Sequence, residues 1–466
     1  LCLAYFVYGL TAYVANLKRK TKGIDMIKII KNARIVNQGE IQISDIVVEN
    51  EKIAAIEPFA KANNAEEIID AKDCYIFPGV IDTHVHFREP GMTDAADIYS
   101  ESRAAAAGGV TSFFDMPNNT PATTSNEAIK AKREIARKNS AVNYSFYIGA
   151  TSDNINEIKS ADPHTVCGVK VFMGSSTGNM LVEKQDTLYD IFRNSPIPIV
   201  AHCEDMEIIG RISKEILERY GEQAGIEWHP YIRSEEACYK SSKTAVQIAN
   251  ETNAQLHVAH ISTAKELELF HKNDSRITAE VCVPHLIFCD EDYAILGAAI
   301  KCNPAIKTKK DRDALRKALV SGEISSIATD HAPHPVCRKQ GGAFTAASGM
   351  PSVQFSLVNM LDLYDKGVLP MEKIPELMAH NPAKIFKIEK RGILKRGFFA
   401  DFVIVKHCKE YTLNKDEVVS KCGWSPYEGK KYSWRVERTF SNGQCVFSRE
   451  NGFLDKIQAR EITFDR

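Results

Sequence analysis

The sequence lacks several features that define large classes of proteins. Its twelve cysteines are scattered and form no CxxC pair, which is typical of a reducing compartment rather than of a secreted disulfide framework. Its 59 Lys and Arg residues nearly cancel its 60 Asp and Glu residues. No long basic stripe follows the first few dozen residues, so the electrostatic footprint of a nucleic-acid-binding protein is missing. We therefore predict a cytoplasmic protein that binds a small neutral or anionic molecule and no nucleic acid.

Long apolar runs are scarce, and the clearest one lies at the beginning of the chain, in "LCLAYFVYGLTAYVANLKRKTKG". Its length is marginal for a membrane span, and its basic residues follow the apolar run, whereas those of a signal peptide precede it. We expect residues 1–25 to be an N-terminal extension outside the fold, with Met26 as the functional start and no attachment to a membrane. A weak membrane anchor is the alternative.

Short alternating patterns of apolar and polar residues occur near both ends of the chain. Near the beginning they include "IKIIKNARIVN" and "ISDIVVEN", and near the end "GFFADFVIVK" and "RVERTFSNGQCVFS". Such runs, separated by Asn, Gly and Asp, are typical of β-hairpins. We predict one small β-sandwich domain built from both termini. Residues 26–77 would form its first part, and residues 391–466 its second part and a C-terminal tail.

The central residues 78–390 repeat a different unit, a short β-rich apolar run followed by a stretch compatible with a helix. The eight runs are "GVIDTHVHF", "VTSFFDMP", "NYSFYIGAT", "GVKVFMG", "IPIVAHCED", "QLHVAHIST", "ITAEVCVPH" and "ISSIATDHAPH". Strands and helices that alternate eight times predict an α/β fold, the (β/α)₈ TIM barrel, which carries its catalytic groups at the C-terminal ends of the strands. A chain of this length folds without a structural metal, so a bound metal would serve chemistry.

Histidines stand at the ends of three of these runs. Residues two apart in a strand face the same side, so His84 and His86 would point together into the mouth of the barrel. His202 in "VAHCED" and His260 in "VAHIST" end two further runs. Because imidazole is a common zinc ligand, histidines that converge on one rim predict a metal site. Histidines with a purely structural role are the alternative.

Two further polar residues are candidates for the same rim. Asp330 in "ATDHAPH" ends the eighth run, where it either stabilises a turn or acts as a metal ligand that shuttles a proton. Lys170 lies within the apolar run "GVKVFMG", and its charged form is costly to bury there. It either reaches solvent or, as a neutral amine, takes up CO₂ to form a carbamate that can bridge two metals.

The chain resembles the cyclic amidohydrolases, and among them the dihydroorotase family, from Met26 to about Phe447. The motifs that carry this resemblance are "DTHVHFREPG", "AAAAGGVTSFFDMPNNTP", "VKVFMG", "AHCED", "VAHIST", "ATDHAPH" and "HNPAKIF". The His-x-His motif marks only the wider amidohydrolase superfamily. Arg88 in "HFREPG" and Asn118 in "MPNNTP" mark dihydroorotases. The fold that this resemblance implies, a (β/α)₈ barrel with a small β-sandwich, agrees with the one predicted from the patterns.

The resemblance implies two zinc ions at the top of the barrel, joined by a carbamylated lysine and a hydroxide. The implied ligands are His84, His86 and Asp330 for one ion, His202 and His260 for the other, and Lys170 as the carbamylated bridge.

The resemblance also implies a binding site for an anionic substrate. Arg88 would bind the substrate carboxylate through its planar fork, and Asn118 would share this carboxylate. Asn303 in "KCNPAIK" and His334 in "ATDHAPH" resemble further substrate contacts.

The implied reaction is the reversible zinc-dependent hydrolysis of (S)-dihydroorotate to N-carbamoyl-L-aspartate, which serves pyrimidine biosynthesis, with Asp330 as general base and acid. The implied partners are a second copy of the chain, in a homodimer, and a carbamoyltransferase. Three alternatives remain: an allantoinase, a dihydropyrimidinase or hydantoinase, and a noncatalytic scaffold that keeps the barrel. The sequence also leaves open whether residues 174–180 form a mobile lid.

Overall fold

The structure is a computed structural model that describes residues 26–61, 65–174, 180–182, 184–272 and 274–466. The predicted N-terminal extension lies outside these residues, as does most of the segment considered as a lid. In the described part of the chain, no helix is both long and apolar enough to cross a membrane.

The strands fall into three groups along the chain. The first group contains β1 (Ile27–Asn37), β2 (Glu40–Glu49), β3 (Lys52–Glu57), β4 (Glu67–Asp70) and β5 (Cys74–Pro78). The second contains β6 (Val80–Val85), β7 (Val110–Asp115), β8 (Asn143–Gly149), β9 (Gly168–Phe172), β10 (Ile199–His202), β11 (Leu256–Val258), β12 (Ile277–Cys282) and β13 (Ser326–Ala328). The third contains β14 (Phe402–Thr412), β15 (Lys431–Ser441), β16 (Gln444–Ser448) and β17 (Gly452–Phe453).

The second group forms an eight-stranded parallel sheet in chain order, from β6 to β13. Every residue of these strands is buried, because a parallel barrel packs side chains inside and helices outside, which explains why the sequence shows continuous apolar runs. An isolated parallel bridge from Val85 to His331 brings the last strand back toward the first. The nearly closed sheet confirms the predicted (β/α)₈ barrel.

Helices occupy most of the connections between the barrel strands. The α-helices are α1 (Ile98–Ala107), α2 (Asn126–Asn139), α3 (Ile155–Lys159), α4 (Gln185–Asn194), α5 (Met206–Tyr220), α6 (His229–Ile232), α7 (Glu235–Thr252), α8 (Val283–Ile287), α9 (Tyr293–Leu296), α10 (Lys309–Ser321), α11 (Ser356–Asp365), α12 (Lys373–Pro375) and α13 (Asn381–Phe386). Several begin at a side-chain cap, for example at Asp97, Ser125 and Thr308, because these side chains bind backbone N–H groups that lack a partner within the helix.

The first and third groups of strands form one mainly antiparallel sheet of nine strands. Antiparallel pairing of β5 with β14 joins the two ends of the chain. Strand β1 has a register irregularity between Ile30 and Ala33, and its first half pairs with β4 while its second half pairs with β5. The sheet encloses its own apolar core, which contains residues from both ends, such as Ile46 and Phe402. The predicted β-sandwich domain from both termini is thereby confirmed.

The last residues of the chain pack on the barrel. Ile462 and Phe464 are buried in the same cluster as Phe114 and Tyr147 of the barrel strands, and Glu461 forms a parallel bridge with Tyr144. The domain boundaries predicted after residues 77 and 390 stay predictions, because the sandwich and the barrel share buried contacts.

A buried ion pair lies where the sandwich meets the barrel. Asp401 binds Arg391, and both side chains are about 95 % buried, with exposures of 5 % and 4 %. The Asp401 carboxylate also accepts a hydrogen bond from the Asn442 amide at 2.7 Å. Asn143 of β8 approaches it at 3.4 Å, so the pair connects the sandwich to a barrel strand.

We predict that Asp401→Ala lowers the free energy of unfolding by about 3–5 kcal/mol, because it leaves the Arg391 guanidinium buried without its anion. Denaturation in urea measures the change. The matched control is Glu410→Ala, which removes an exposed ion pair with Lys431 and should have little effect. Equal effects of the two substitutions would contradict the role of the buried pair.

Candidate active site

The predicted site residues meet in one cavity at the C-terminal ends of the barrel strands, which we call the strand-end cavity. Its volume is about 320 Å³. The predicted residues that line it are His84, His86, Arg88, Asn118, Lys170, His202, His260, Asn303, Asp330 and His334. The parallel strands bring these residues together, because most lie near or after the C-terminal ends of their strands and Lys170 lies within β9.

The imidazoles form a continuous row across this cavity. The ring centroids of His86 and His84 are 5.5 Å apart, those of His84 and His260 are 5.3 Å apart, and those of His260 and His202 are 4.6 Å apart. Burial lowers the pKa of His86 to about 4 and that of His260 well below its usual value. These two rings, His86 and His260, are therefore neutral at physiological pH, which is the form that binds metals.

Asp330 lies at one end of this row. Its Oδ1 atom is 2.9 Å from Nε2 of His86 and 3.3 Å from Nε2 of His84. Burial alone would raise the pKa of this carboxyl, but the interactions with His84 and His86 outweigh burial and lower it to about 2. The carboxylate is therefore an anion at neutral pH, placed beside two imidazole nitrogens.

Lys170 lies inside the barrel and does not reach solvent. Its side chain has an exposure of 0 %, and its Nζ atom has no hydrogen-bond partner among the described residues. Burial lowers the pKa of the Lys170 amine, although Glu280 and Asp330 act in the opposite direction. A buried amine without a partner is costly, which points to a further group in contact with it.

Carboxylates behind the histidines hold two of the rings in place. Nδ1 of His84 is 2.5 Å from Oε1 of Glu280 on β12, and Nε2 of His202 is 2.8 Å from Oε2 of Glu204. Glu204 also accepts a hydrogen bond from Arg233 at 2.5 Å. Each ring thus has one nitrogen fixed by a carboxylate, and the other nitrogen is the one that can bind a metal.

Glu280 and Glu204 are functional residues that the sequence analysis missed. The signal was present, since "ITAEVCVPH" carries an acid within an apolar run and "AHCED" places an acid two residues after His202. A buried carboxylate in such a run needs a partner. The sequence does not indicate which histidine this partner would be.

Three of the site residues have a backbone conformation that side chains disfavour. Arg88, His260 and Asp330 have positive φ angles of 67°, 41° and 47°. Such conformations cost free energy and persist where the surrounding structure enforces them. Here they turn the side chains at strand ends into the strand-end cavity.

The donor set fits a divalent metal centre. His84, His86 and Asp330 place their ligand atoms within 4.8 Å of one another. His260 has a buried Nδ1 atom without a partner among the described residues, and the Lys170 amine is buried beside it. Imidazole and carboxylate ligands, with carboxylates behind them, suit zinc and related ions.

Arg88 also lines the strand-end cavity. Its guanidinium is buried, with an exposure of 5 %, and burial lowers its pKa to about 10, so that it stays charged. Its Nε donates to the carbonyl of Pro333 at 3.3 Å, and its Nη2 lies 3.1 Å from Nε2 of His334. Among the described residues, no acidic side chain forms an ion pair with Arg88. Asp330 and Asp115 act on its charge from a greater distance, so the cavity contains a buried cation that has no direct acidic partner among the described residues.

The remaining predicted residues surround this cation and the histidines. Asn118 places Oδ1 2.7 Å from Nδ1 of His86, so it supports a candidate metal ligand in addition to lining the cavity. His334 places Nε2 3.0 Å from the carbonyl of Ser348. Asn303 has a buried Oδ1 atom that lacks a partner in the described part of the chain.

Comparisons with known proteins agree with this architecture. The model of the amidohydrolase family matches residues 75–446. An allantoinase of Bacillus velezensis is 33 % identical over 430 residues, which cover 90 % of this chain and 93 % of that protein. A dihydroorotase of Pediococcus pentosaceus is 32 % identical over 440 residues, covering 91 % and 99 %. The structure of an L-hydantoinase (dihydropyrimidinase) from Arthrobacter aurescens covers 94 % of this chain and is itself covered completely, with a TM-score of 0.89 and 26 % identity.

These findings define the class of the protein. The chain belongs to the amidohydrolase family, whose members generally bind divalent metals. It is a cyclic amidohydrolase, and its relatives carry the names of enzymes for different cyclic amides.

We predict that Glu280→Gln weakens the binding of a divalent metal, with zinc as the probe, by about 10- to 100-fold, because the neutral amide no longer fixes His84 as a carboxylate does. Competition with a zinc chelator measures this affinity. Glu266→Gln is the control, since Glu266 is a buried carboxylate that binds Ser242 and Thr263 and no histidine. Loss of zinc affinity in both variants, or in neither, would show that Glu280 has no specific role at the centre.

Proposed function

We propose that the chain is a dihydroorotase, a zinc-dependent enzyme that interconverts (S)-dihydroorotate and N-carbamoyl-L-aspartate. The observation that carries this proposal is the buried Arg88 guanidinium, which faces the strand-end cavity without an acidic partner among the described residues. An anionic substrate would supply the missing charge. Dihydroorotate carries a carboxylate on its ring, whereas allantoin and dihydrouracil are neutral.

The substrate would lie between Arg88 and the histidines. The planar fork of Arg88 suits a carboxylate, which it can bind through two parallel hydrogen bonds. Asn303 and His334 line the same cavity and can bind further polar atoms of the ring. With the carboxylate held there, the cyclic amide would face Asp330 and the row of imidazoles.

Two zinc ions would bind at the opposite side of the cavity. His84, His86 and Asp330 would hold one ion and His202 and His260 the other, with Lys170 as a carbamate between them. Divalent cations at this position lower the pKa of a nearby water and polarise a carbonyl oxygen.

Asp330 would move the proton during ring opening. Its low pKa leaves it as an anion that accepts a proton from the attacking water. The water oxygen bonds to the amide carbon, the bond from this carbon to the ring nitrogen breaks, and Asp330 delivers the proton to that nitrogen. The balance is one water added to dihydroorotate to give N-carbamoyl-L-aspartate. The same steps in reverse order close the ring and release the water.

We predict that Arg88→Met lowers kcat/KM for dihydroorotate by about 100- to 1000-fold, which corresponds to the loss of roughly 3–4 kcal/mol of binding to a buried carboxylate. Steady-state hydrolysis by the zinc-loaded enzyme measures this effect. Zinc content should stay unchanged, and hydrolysis of neutral dihydrouracil should not fall. Arg396→Met, at an exposed arginine outside the cavity, is the control.

The same assay decides between the proposed substrate and its rivals. Wild-type enzyme should hydrolyse dihydroorotate faster than allantoin, dihydrouracil or hydantoin at equal concentration. Faster turnover of allantoin would overturn the proposal and would assign the chain the activity named for its relative from Bacillus velezensis. Loss of zinc from Arg88→Met would instead give Arg88 a structural role.

We predict that Lys170 carries one CO₂ as a carbamate when zinc is bound. An uncharged buried amine can react with CO₂, and the resulting carbamate is an anionic ligand for the metals. Native mass spectrometry at neutral pH should show this added mass, and acid should remove it. Lys170→Met should lack the added mass and lose most of its bound metal. Wild-type protein with two zinc ions and an unmodified amine would contradict carbamylation.

A further inference from the structure

The segment that carries Asn303 lies between a turn of 3₁₀ helix at Gly297–Ile300 and helix α10. It contains neither helix nor strand, so its conformation is not fixed by a regular backbone ladder. Asn303 nevertheless presents a buried Oδ1 atom to the strand-end cavity. The contacts of its neighbours therefore decide where this side chain lies.

Two buried histidines hold the backbone on either side of Asn303. Nε2 of His229 lies 2.9 Å from the carbonyl oxygen of Cys302, and Nε2 of His285 lies 3.1 Å from that of Pro304. Each histidine has an exposure of only 3 %. Because a carbonyl only accepts, the histidine must donate in both cases.

These two histidines are neutral donors. Burial lowers the pKa of His285 to about 4 and that of His229 well below its usual value. A neutral imidazole carries one proton, and the carbonyl contacts place this proton on Nε2. Neither histidine is among the residues that line the strand-end cavity, so neither touches a substrate bound there.

A buried lysine holds the same segment from a third direction. Nζ of Lys339 donates to the carbonyl of Lys301 at 3.0 Å, and also to those of Ala347 at 2.8 Å and Gly349 at 2.7 Å. Ala347 and Gly349 line the strand-end cavity. Lys339 therefore joins the Asn303 segment to another wall of the cavity.

We propose that His229 and His285 are positioning residues, which hold the backbone around Asn303 so that its side chain meets the substrate. This role rests on the proposed function, since it takes Asn303 as a substrate contact. The two histidines come from helices α6 and α8, and the helices thereby fix a loop that has no regular structure of its own. A small displacement of a positioned group is enough to reduce catalysis strongly.

The first test compares two substitutions of His285. His285→Phe removes the donor and keeps a ring, and we expect it to raise KM for dihydroorotate by about 10- to 100-fold with a smaller change in kcat. His285→Gln keeps an N–H donor at a similar reach and should restore most of the loss. His229→Phe and His229→Gln should behave in the same way. Zinc content and the thermal midpoint, measured in parallel, identify a variant that is merely misfolded.

The control is a histidine that also contacts a backbone carbonyl, but far from the cavity. Nδ1 of His164 lies 3.2 Å from the carbonyl oxygen of Phe464. His164→Phe should change the thermal midpoint at most, and KM should stay at the wild-type value. A rise in KM for this control equal to that of His285→Phe would overturn the assigned role.

A double-mutant cycle tests whether His285 acts through Asn303. If it does, His285→Phe should cause little further loss in an Asn303→Ala background, because the group that it positions is already absent. Full additivity of the two losses would overturn the inference, and so would an Asn303→Ala variant with wild-type KM. Failure of the proposed function gives a different result from failure of this inference, because the wild-type enzyme would then prefer another cyclic amide. The cycle, run on that amide, still measures the coupling of His285 to Asn303.

Discussion

The structure depends on one constraint, the burial of polar side chains whose reactive atoms have no protein partner. Lys170 is buried in the middle of barrel strand β9 with an unpartnered Nζ atom, and His260 has an unpartnered Nδ1 atom in the described structure. Leaving such groups buried and unsatisfied costs free energy that a protein core normally avoids. These unpartnered nitrogens are explained if a cation and its bridging ligand complete the site. The same nitrogens then stabilise the enzyme in its metal-bound form.

The protein also places charged carboxylates behind the histidines of the site, in addition to Asp330 beside them. Glu280 fixes His84, and Glu204 fixes His202 while it binds Arg233. These carboxylates are fully buried, yet each binds a hydrogen-bond donor, so their burial is compensated. The consequence is that each ring is held in one orientation before a metal arrives. A site organised in this way loses little conformational freedom on binding its metal.

The sequence predicts most of the barrel and of the rim because both depend on local patterns. Strands buried on both faces appear as apolar runs, and His84, Lys170 and Asp330 interrupt or end those runs. The supporting contacts are not local: Glu280 lies 196 residues from His84, and the two histidines around Asn303 belong to separate helices. The periodic pattern of apolar residues along the sequence contains no information on such distant pairs. The register irregularity of strand β1 is equally hidden, since it depends on which strand pairs with each half.

Under the proposed function the cavity has a histidine side, which binds the metals, and a separate substrate-binding group, Arg88, which would explain how one family can serve several substrates. The histidine side needs only a cyclic amide, which allantoin, dihydropyrimidines and dihydroorotate all offer, and relatives with different names are consistent with such a shared side. Under the proposed function, discrimination arises at Arg88, which is buried and has no direct acidic partner among the described residues. A neutral ring would leave this guanidinium uncompensated, at the cost of its desolvation. A ring that carries a carboxylate would remove that cost on binding, so the proposed function predicts that the charge of Arg88 selects for it.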